Sequence, residues 1–179
     1  ETFDEVLSNG MKALTVNELE AIVEGKYAII LDTRNNAEFA KGNIPQSINI
    51  GLQGDFAPWV GAMIVDVKQA IILVTEKGFE EETITRLSRV GFDHILGYLE
   101  GGFAAWQNAG KEIDTVNRIM ATQFAKQINT KEDIVYDIRK ESEYAASHVE
   151  EAYSKPLASI NEWVKDINPQ NHFYIYCAG

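Results

Sequence analysis

The chain has 179 residues, and its content of 45% hydrophobic and 24% charged residues is that of an ordinary globular protein. Its 27 acidic and 16 basic residues give a net charge of −11, which disfavours binding to nucleic acids and to anionic membranes. The single cysteine, Cys177, excludes an intrachain disulfide, and 3 histidines are too few for a Cys/His-rich metal site, so no metal and no cofactor are expected. The apolar runs are too short to cross a bilayer, no signal-peptide pattern opens the chain, and a lone thiol fits the reducing cytoplasm.

Alternation of apolar runs with segments of helical period predicts βαβ units and a mainly parallel sheet. Ile84, Leu87 and Val90 are predicted to point inward from one helix, and the large aromatic side chains of Trp59 and Trp106 to belong to the core. The predicted elements, in chain order, are a helix from the capping box at Thr15 to Gly25, strand 28–32, helix 36–41, a short strand at 47–50, strand 69–75, helix 81–89, a short strand at 94–96 and a glycine-bounded helix at 101–110.

An internal repeat divides the chain. The segment 32–39, Asp-Thr-Arg-Asn-Asn-Ala-Glu-Phe, aligns with 137–144, Asp-Ile-Arg-Lys-Glu-Ser-Glu-Tyr. The apolar strand that follows each segment aligns as well, and this alignment puts Thr75 in the place of Cys177. We therefore predict two domains, 1–115 and 116–179.

Both ends of the chain indicate a fragment of a longer protein. The sequence begins at Glu1 without a methionine and stops at Gly179, where an apolar run has just reached a small-residue turn. A βα unit needs the returning helix to cover its sheet. We therefore expect the second domain to be the amino-terminal part of a larger domain, ending at the Cys177 loop.

These motifs resemble the rhodanese (sulfurtransferase) family. The resemblance rests on Asp-x-Arg-x-x-x-Glu-[Tyr/Phe], on the apolar strand ending in Cys177, and on the closing Gly-Gly-x-x-x-Trp-x-x-x-Gly at 101–110. It covers nearly the whole chain and implies an α/β fold of two tandem rhodanese-like domains, each a mainly parallel sheet flanked by helices.

A finer resemblance suggests a partner domain. Segments 39–45, 56–59 and 86–92 are similar to the tandem rhodanese region that follows a metallo-β-lactamase-fold domain in persulfide dioxygenase-like fusion proteins. This implies such a domain before Glu1. The His-x-His-x-Asp-His ligands of that domain are absent from this sequence, so the chain itself is expected to bind no metal.

Cys177 is the predicted nucleophile. A thiol at the carboxyl end of a parallel strand, in a small-residue loop, lies where open α/β sheets bind ligands. Backbone N–H groups there stabilise a thiolate and a persulfide anion, so Ala178 and Gly179 are assigned to an anion-binding loop. We predict that Cys177 takes sulfane sulfur from thiosulfate or a low-molecular-weight persulfide and passes it to a thiol or cyanide.

Polar residues before the loop are assigned supporting roles. Asp137 is predicted to cap the turn after its strand, and Arg139 to pair with Glu143, four residues later on a helix. Structure is favoured over substrate contact for this group. His148 resembles the His of the family's Gly-His-Ile motif, although Ser147 replaces the Gly, and is expected to be structural.

The first copy departs from the family at the nucleophile. A threonine hydroxyl without a neighbouring base cannot carry sulfane sulfur, and Glu80 stands where many family members have Arg. The first domain is therefore expected to be a catalytically inactive scaffold. Two alternatives remain open for the whole chain: a non-catalytic interaction or regulatory module, and a thiol phosphatase or arsenate reductase with a Cys-x5-Arg loop.

Overall fold

The computed structural model describes residues 2–129 and 132–178, and it divides into two units, Glu1–Arg118 and Ile119–Gly179. Each unit is an α/β structure with a parallel sheet flanked by helices, which confirms the predicted fold class. No helix within the described ranges is long and apolar enough to cross a membrane.

The first unit is built on a five-stranded parallel sheet. Its strand order is β1-β5-β4-β2-β3, so the chain crosses over the sheet between strands. Its elements are α1 (Phe3–Gly10), β1 (Ala13–Leu14), α2 (Val16–Lys26), β2 (Ile29–Asp32), α3 (Asn36–Lys41), β3 (Ile48–Asn49), α4 (Phe56–Met63), β4 (Ile71–Val74), α5 (Glu80–Ser88), β5 (Ile95–Leu99) and α6 (Gly102–Asn108).

Strand β4 lies at the centre of this unit, and each of its four residues is 0% exposed. Leu73 packs with Phe56 and Ile84 on one face of the sheet, whereas Val74 packs with Leu19 and Trp106 on the other. An all-apolar strand covered on both faces explains why the run 71–74 does not alternate between apolar and polar residues. It also fixes the carboxyl end of β4, where Thr75 follows.

Three sequence-based expectations for the first unit are wrong in detail. Helix α2 continues past Gly25 to Lys26, because Tyr27 adopts the left-handed conformation (φ 55°) and serves as its C-cap. Val90 is 37% exposed rather than inward, because α5 has already ended at Ser88. Trp59 is 36% exposed on α4 and is not a core residue.

The second unit repeats part of this plan. Its elements are α7 (Ala121–Gln127), β6 (Ile134–Asp137), α8 (Glu141–Ala146), β7 (Tyr153–Ser154), a 3-10 turn (Leu157–Ser159), α9 (Ile160–Trp163), a second 3-10 turn (Val164–Asp166) and β8 (Phe173–Tyr176). The parallel order β7-β6-β8 matches β3-β2-β4 of the first unit. The register also matches, because Asp32 pairs with Val74 and Asp137 pairs with Tyr176.

The hydrophobic core of the second unit is small. Among its described residues, the hydrophobic side chains that are buried are Val135 and Ala152. Tyr153 is 58% exposed and Ile175 is 53% exposed, although the matching positions in the first unit lie in or against the core. Burial of apolar surface is the main favourable term in folding, so the two units differ in expected stability.

We expect this difference to appear in amide hydrogen exchange of the 179-residue chain. Amides of β2 and β4 should show the highest protection, and those of β6 and β8 should exchange faster by about tenfold or more, because local opening costs less where less apolar area is buried. In a thermal melt, the second unit should unfold at a lower temperature than the first. Equal protection in β4 and β8 would contradict the prediction.

Candidate active site

A buried carboxylate and an arginine brace the turn after β6. The Asp137 side chain is 0% exposed, and Arg139 Nη2 donates to its Oδ2 at 2.6 Å. The Arg139 backbone N–H and Nε both donate to Asp137 Oδ1 at 3.0 Å. The same Nη2 also donates to the Ser147 carbonyl at 2.8 Å, so one guanidinium ties the strand end to the loop after α8.

The first unit contains the same arrangement. Arg34 Nη2 donates to Asp32 Oδ2 at 2.6 Å and to the Gly42 carbonyl at 3.0 Å. The Arg34 guanidinium also lies 4.3 Å from the ring centroid of Phe103, at the start of α6. Because the unit without a cysteine keeps this pair, the Asp-x-Arg motif is a structural brace of the repeat.

The predicted pair between Arg139 and Glu143 does not form. Glu143 Oε2 instead accepts a hydrogen bond from the Lys140 backbone N–H at 3.2 Å, at the amino end of α8. The planar guanidinium fits the two oxygens of Asp137 in a bidentate pair, which a partner one helical turn away does not offer. The predicted turn-capping role of Asp137 agrees with its bond from the Arg139 N–H.

Tyr176 completes the group, and sequence reasoning missed it. Its hydroxyl donates to Asp137 Oδ2 at 2.6 Å and accepts from the Val149 N–H at 3.1 Å. The first unit has Val74 at this position, which cannot make either bond. The signal in the sequence was a tyrosine directly before the cysteine, at a position where the other copy has an aliphatic residue.

The charges of this group are fixed at neutral pH. Burial alone would raise the pKa of Asp137, but hydrogen bonds from Arg139 and Tyr176 outweigh it and lower that pKa to about 2. The hydrogen bond to Asp137 raises the pKa of Arg139. Burial, together with the bond to Asp137, raises the pKa of Tyr176, so its hydroxyl stays a donor.

Cys177 follows β8 directly and is exposed. The ladder holds its position, because the Ile138 N–H donates to the Tyr176 carbonyl at 3.1 Å. Ala178 is also exposed, and Gly179 lies outside the described residues. The structure therefore brings Asp137 and Arg139 to the same edge of the sheet as Cys177, with Tyr176 as the link.

In the first unit, the matching loop after β4 binds a side chain of the same unit, Glu80. Thr75 is only 5% exposed, and Glu80 Oε2 accepts a hydrogen bond from the Gly78 N–H at 2.8 Å. This carboxylate takes a loop amide that an anionic ligand would need. Helix α6 packs closely on the loop, because Gly102 (φ 60°) would place a Cβ 3.0 Å from the Thr75 carbonyl oxygen.

His148 serves packing in the second unit. The His148 ring stacks on the Tyr144 ring at 3.8 Å between centroids, and its Nδ1 lies 2.8 Å from the Tyr144 carbonyl oxygen. Within residues 2–129 and 132–178, no three His, Cys, Asp or Glu side chains are grouped as a metal ion would require.

We expect Asp137→Asn to destabilise the second unit by roughly 2–4 kcal/mol, because it leaves Arg139 without its buried counter-charge. Glu143→Gln keeps the capping bond to Lys140 and should cost less than about 0.5 kcal/mol. Urea titration followed by the amide NMR signals of β6 and β8 measures both. Equal effects would restore the predicted pair of Arg139 with Glu143.

The lowered pKa of Asp137 predicts that the second unit loses stability in acid. The pKa of Asp137 falls from 3.8 to about 2 on folding, so its contribution to stability is complete above pH 3.8 and is lost as the pH falls towards about 2. Asp137→Asn should flatten this part of the stability profile of the second unit.

Comparison with known proteins agrees with the geometry. The family profile described as Rhodanese-like domain matches residues 15–109 and 120–179. The uncharacterized protein YibN of Escherichia coli K12 is 28% identical over 111 residues, which cover 62% of this chain and 76% of that protein. The adenylyltransferase and sulfurtransferase MOCS3 of Drosophila grimshawi is 27% identical over 100 residues, which cover 53% of this chain and 22% of MOCS3.

The solution structure of the rhodanese-like domain of Alr3790 from Anabaena is 20% identical in sequence, and the match covers 61% of this chain and 84% of that one. The two superpose with a TM-score of 0.51, which shows the shared fold. The chain therefore belongs to the rhodanese-like domain family, with two copies of the domain in tandem.

Proposed function

We propose that the second repeat is a sulfurtransferase in which Cys177 carries sulfane sulfur as a persulfide. The observation that carries the proposal is the placement of the chain's one cysteine. It is exposed, and it follows a parallel strand directly, at the edge where α/β sheets bind ligands. Membership in the rhodanese-like domain family and the similarity to MOCS3, a sulfurtransferase by name, support this reaction class.

The reaction balances without a cofactor. The Cys177 thiolate attacks the outer sulfur of thiosulfate, the S–S bond breaks, and sulfite leaves with the electron pair of that bond. With a low-molecular-weight persulfide as the donor, the leaving group is the donor's thiolate. The Cys177 persulfide anion then gives its outer sulfur to a second thiolate or to cyanide, which regenerates the Cys177 thiolate.

Asp137, Arg139 and Tyr176 position the Cys177 loop and do not contact the sulfur. Tyr176 fixes the end of β8 against Asp137, while Arg139 holds the facing loop through the Ser147 carbonyl. Ala178 and Gly179 are proposed to supply backbone N–H groups to the thiolate and the persulfide. The roles of Asp137 and Arg139 are thus supportive, and Glu143 only caps α8.

The first repeat is proposed to be a non-catalytic scaffold. A threonine stands in the nucleophile position, and the Glu80 carboxylate binds the loop amide at Gly78. Both features oppose sulfur transfer in this copy. The hydroxyl cannot carry sulfane sulfur, and the carboxylate repels an anionic sulfur donor.

The proposed partners are the small-molecule donor and acceptor. The metallo-β-lactamase-fold domain before Glu1 and the cytoplasmic location stay predictions. The phosphatase or arsenate reductase alternative differs in the covalent intermediate, since it would place phosphorus or arsenic on the cysteine instead of sulfur.

Incubation of the protein with thiosulfate or glutathione persulfide should add the mass of one sulfur atom to the peptide that contains Cys177. Cys177→Ser should remove both the adduct and the turnover of thiosulfate with cyanide, because a hydroxyl does not form a persulfide. Intact-mass and peptide mass spectrometry measure the adduct. Turnover that survives in Cys177→Ser would defeat the proposal, and a phosphorylated Cys177 would favour the phosphatase alternative.

Thr75→Ala is the matched change in the other copy. It should leave sulfur transfer within about twofold of the unchanged protein, because the first loop does not contact substrate. A loss of tenfold or more, at unchanged thermal stability, would show that the first repeat takes part in the reaction.

A further inference from the structure

Besides the positions of Tyr176 and Cys177, the two copies differ at a third position on the carboxyl edge of the sheet. The Ile50 N–H donates to the Asp32 carbonyl at 3.0 Å, and the Lys155 N–H donates to the Asp137 carbonyl at 2.8 Å. These bonds make Ile50 and Lys155 structurally equivalent. Ile50 is 6% exposed in the core of the inactive copy, whereas the copy with the cysteine has a lysine there.

The Lys155 side chain is half-buried and lies against an aromatic ring. Its Nζ is 5.9 Å from the ring centroid of Trp163, at the end of α9. The Trp163 indole N–H donates to the Pro156 carbonyl at 2.9 Å, which fixes the ring beside the segment that carries Lys155. The lysine is therefore held in one region of the surface by its contact with the ring.

The positive charge of Lys155 has no counter-charge nearby. Across the part of the chain that the structure describes, no carboxylate lies within 4.0 Å of its ammonium group, whereas Arg139 at the same edge is neutralised by Asp137. This cation lies at the same edge of the sheet as the proposed nucleophile, in a chain of net charge −11, and an anionic ligand would complement its charge.

Lys155 and Cys177 are close enough to act on one small molecule. Each directly follows a strand that pairs with β6, Lys155 after β7 and Cys177 after β8. Two strand spacings separate them, or about 10 Å between backbones. The Lys155 Nζ lies against Trp163, so a donor whose sulfur meets Cys177 and whose charged end extends towards β7 brings that charge towards Nζ.

On the basis of the proposed function, we infer that Lys155 binds the anionic group of the sulfur donor and so selects donors that carry a negative charge. Thiosulfate and carboxylate-bearing persulfides share this chemistry. Trp163 positions the lysine and does not contact the sulfur.

The test uses the single cysteine of the chain and does not depend on sulfur transfer. The Cys177 thiolate attacks either of two disulfide probes, forms a mixed disulfide and releases a coloured thiolate or thione. One probe is the dianionic dithiobis(nitrobenzoate), and the other is the neutral dithiodipyridine. Lys155→Met should slow the dianionic probe about threefold at low ionic strength, as expected for loss of one charge about 10 Å away, and should leave the neutral probe unchanged.

Three controls sharpen the result. Lys155→Arg should keep the unchanged rate, and near 1 M salt the difference between Lys155→Met and the unchanged protein should vanish. Lys140→Met removes the same charge from an exposed position at the N-cap of α8, on the same edge, and should have less than half the effect. Equal slowing of both probes, no slowing by Lys155→Met, or equal effects of the two lysines would overturn the assignment.

A second measurement separates the donors. The rate of persulfide formation on Cys177 should fall in Lys155→Met with thiosulfate, with glutathione persulfide, or with both, and the affected donor is the one whose charge Lys155 binds. If the probe effect appears and no persulfide forms with any donor, the anion subsite stands and the proposed function fails. If persulfide forms at an unchanged rate with both donors in Lys155→Met, the subsite fails and the proposed function stands.

Discussion

The ion pair between a buried aspartate and the arginine two residues later braces each repeat at the carboxyl edge of its sheet. In both copies the carboxylate is 0% exposed and takes two or more hydrogen bonds from one guanidinium. Burial of a carboxylate without such a partner would cost free energy. The ion pair and the turn are therefore expected to form together. Since the guanidinium also binds a carbonyl eight residues further on, the pair fixes two loops at the carboxyl end of β2 in the first unit and of β6 in the second.

Around this constant brace, the two copies differ in ways that accompany the cysteine. Val74, Thr75 and Ile50 of the first copy correspond to Tyr176, Cys177 and Lys155 of the second. The first set is mostly apolar and buried, and its loop amide is taken by the Glu80 carboxylate. The second set adds a thiol, a hydroxyl that reaches the buried carboxylate, and an uncompensated cation. The same fold thus carries mostly apolar, buried side chains at this edge in the first copy and polar or charged side chains in the second.

The loop after α3 and the matching loop after α8 are held by different contacts. In the first unit, the Asn43 N–H donates to the Asp114 carbonyl and the Asp114 N–H donates back to the Asn43 carbonyl, which joins the loop to the segment after α6. In the second unit, the Tyr176 hydroxyl accepts from Val149 in the matching loop. This side-chain contact ties the loop directly to the residue before Cys177.

The sequence by itself determined the α/β class, the repeat and the position of the cysteine, because these depend on periodicity and on local motifs. The helix predicted over 36–41, ending before Gly42, has the same bounds in the structure, where Asn35 is its N-cap. Only the tertiary structure decided the partner of Arg139, because Asp137 and Glu143 both lie within its reach along the chain and burial of Asp137 selects between them. It also decided the hydrogen bonds of Tyr176, whose partners Asp137 and Val149 are distant in sequence. Local spacing specifies which elements form, but contacts across the sheet depend on the register of strands, which no short motif encodes.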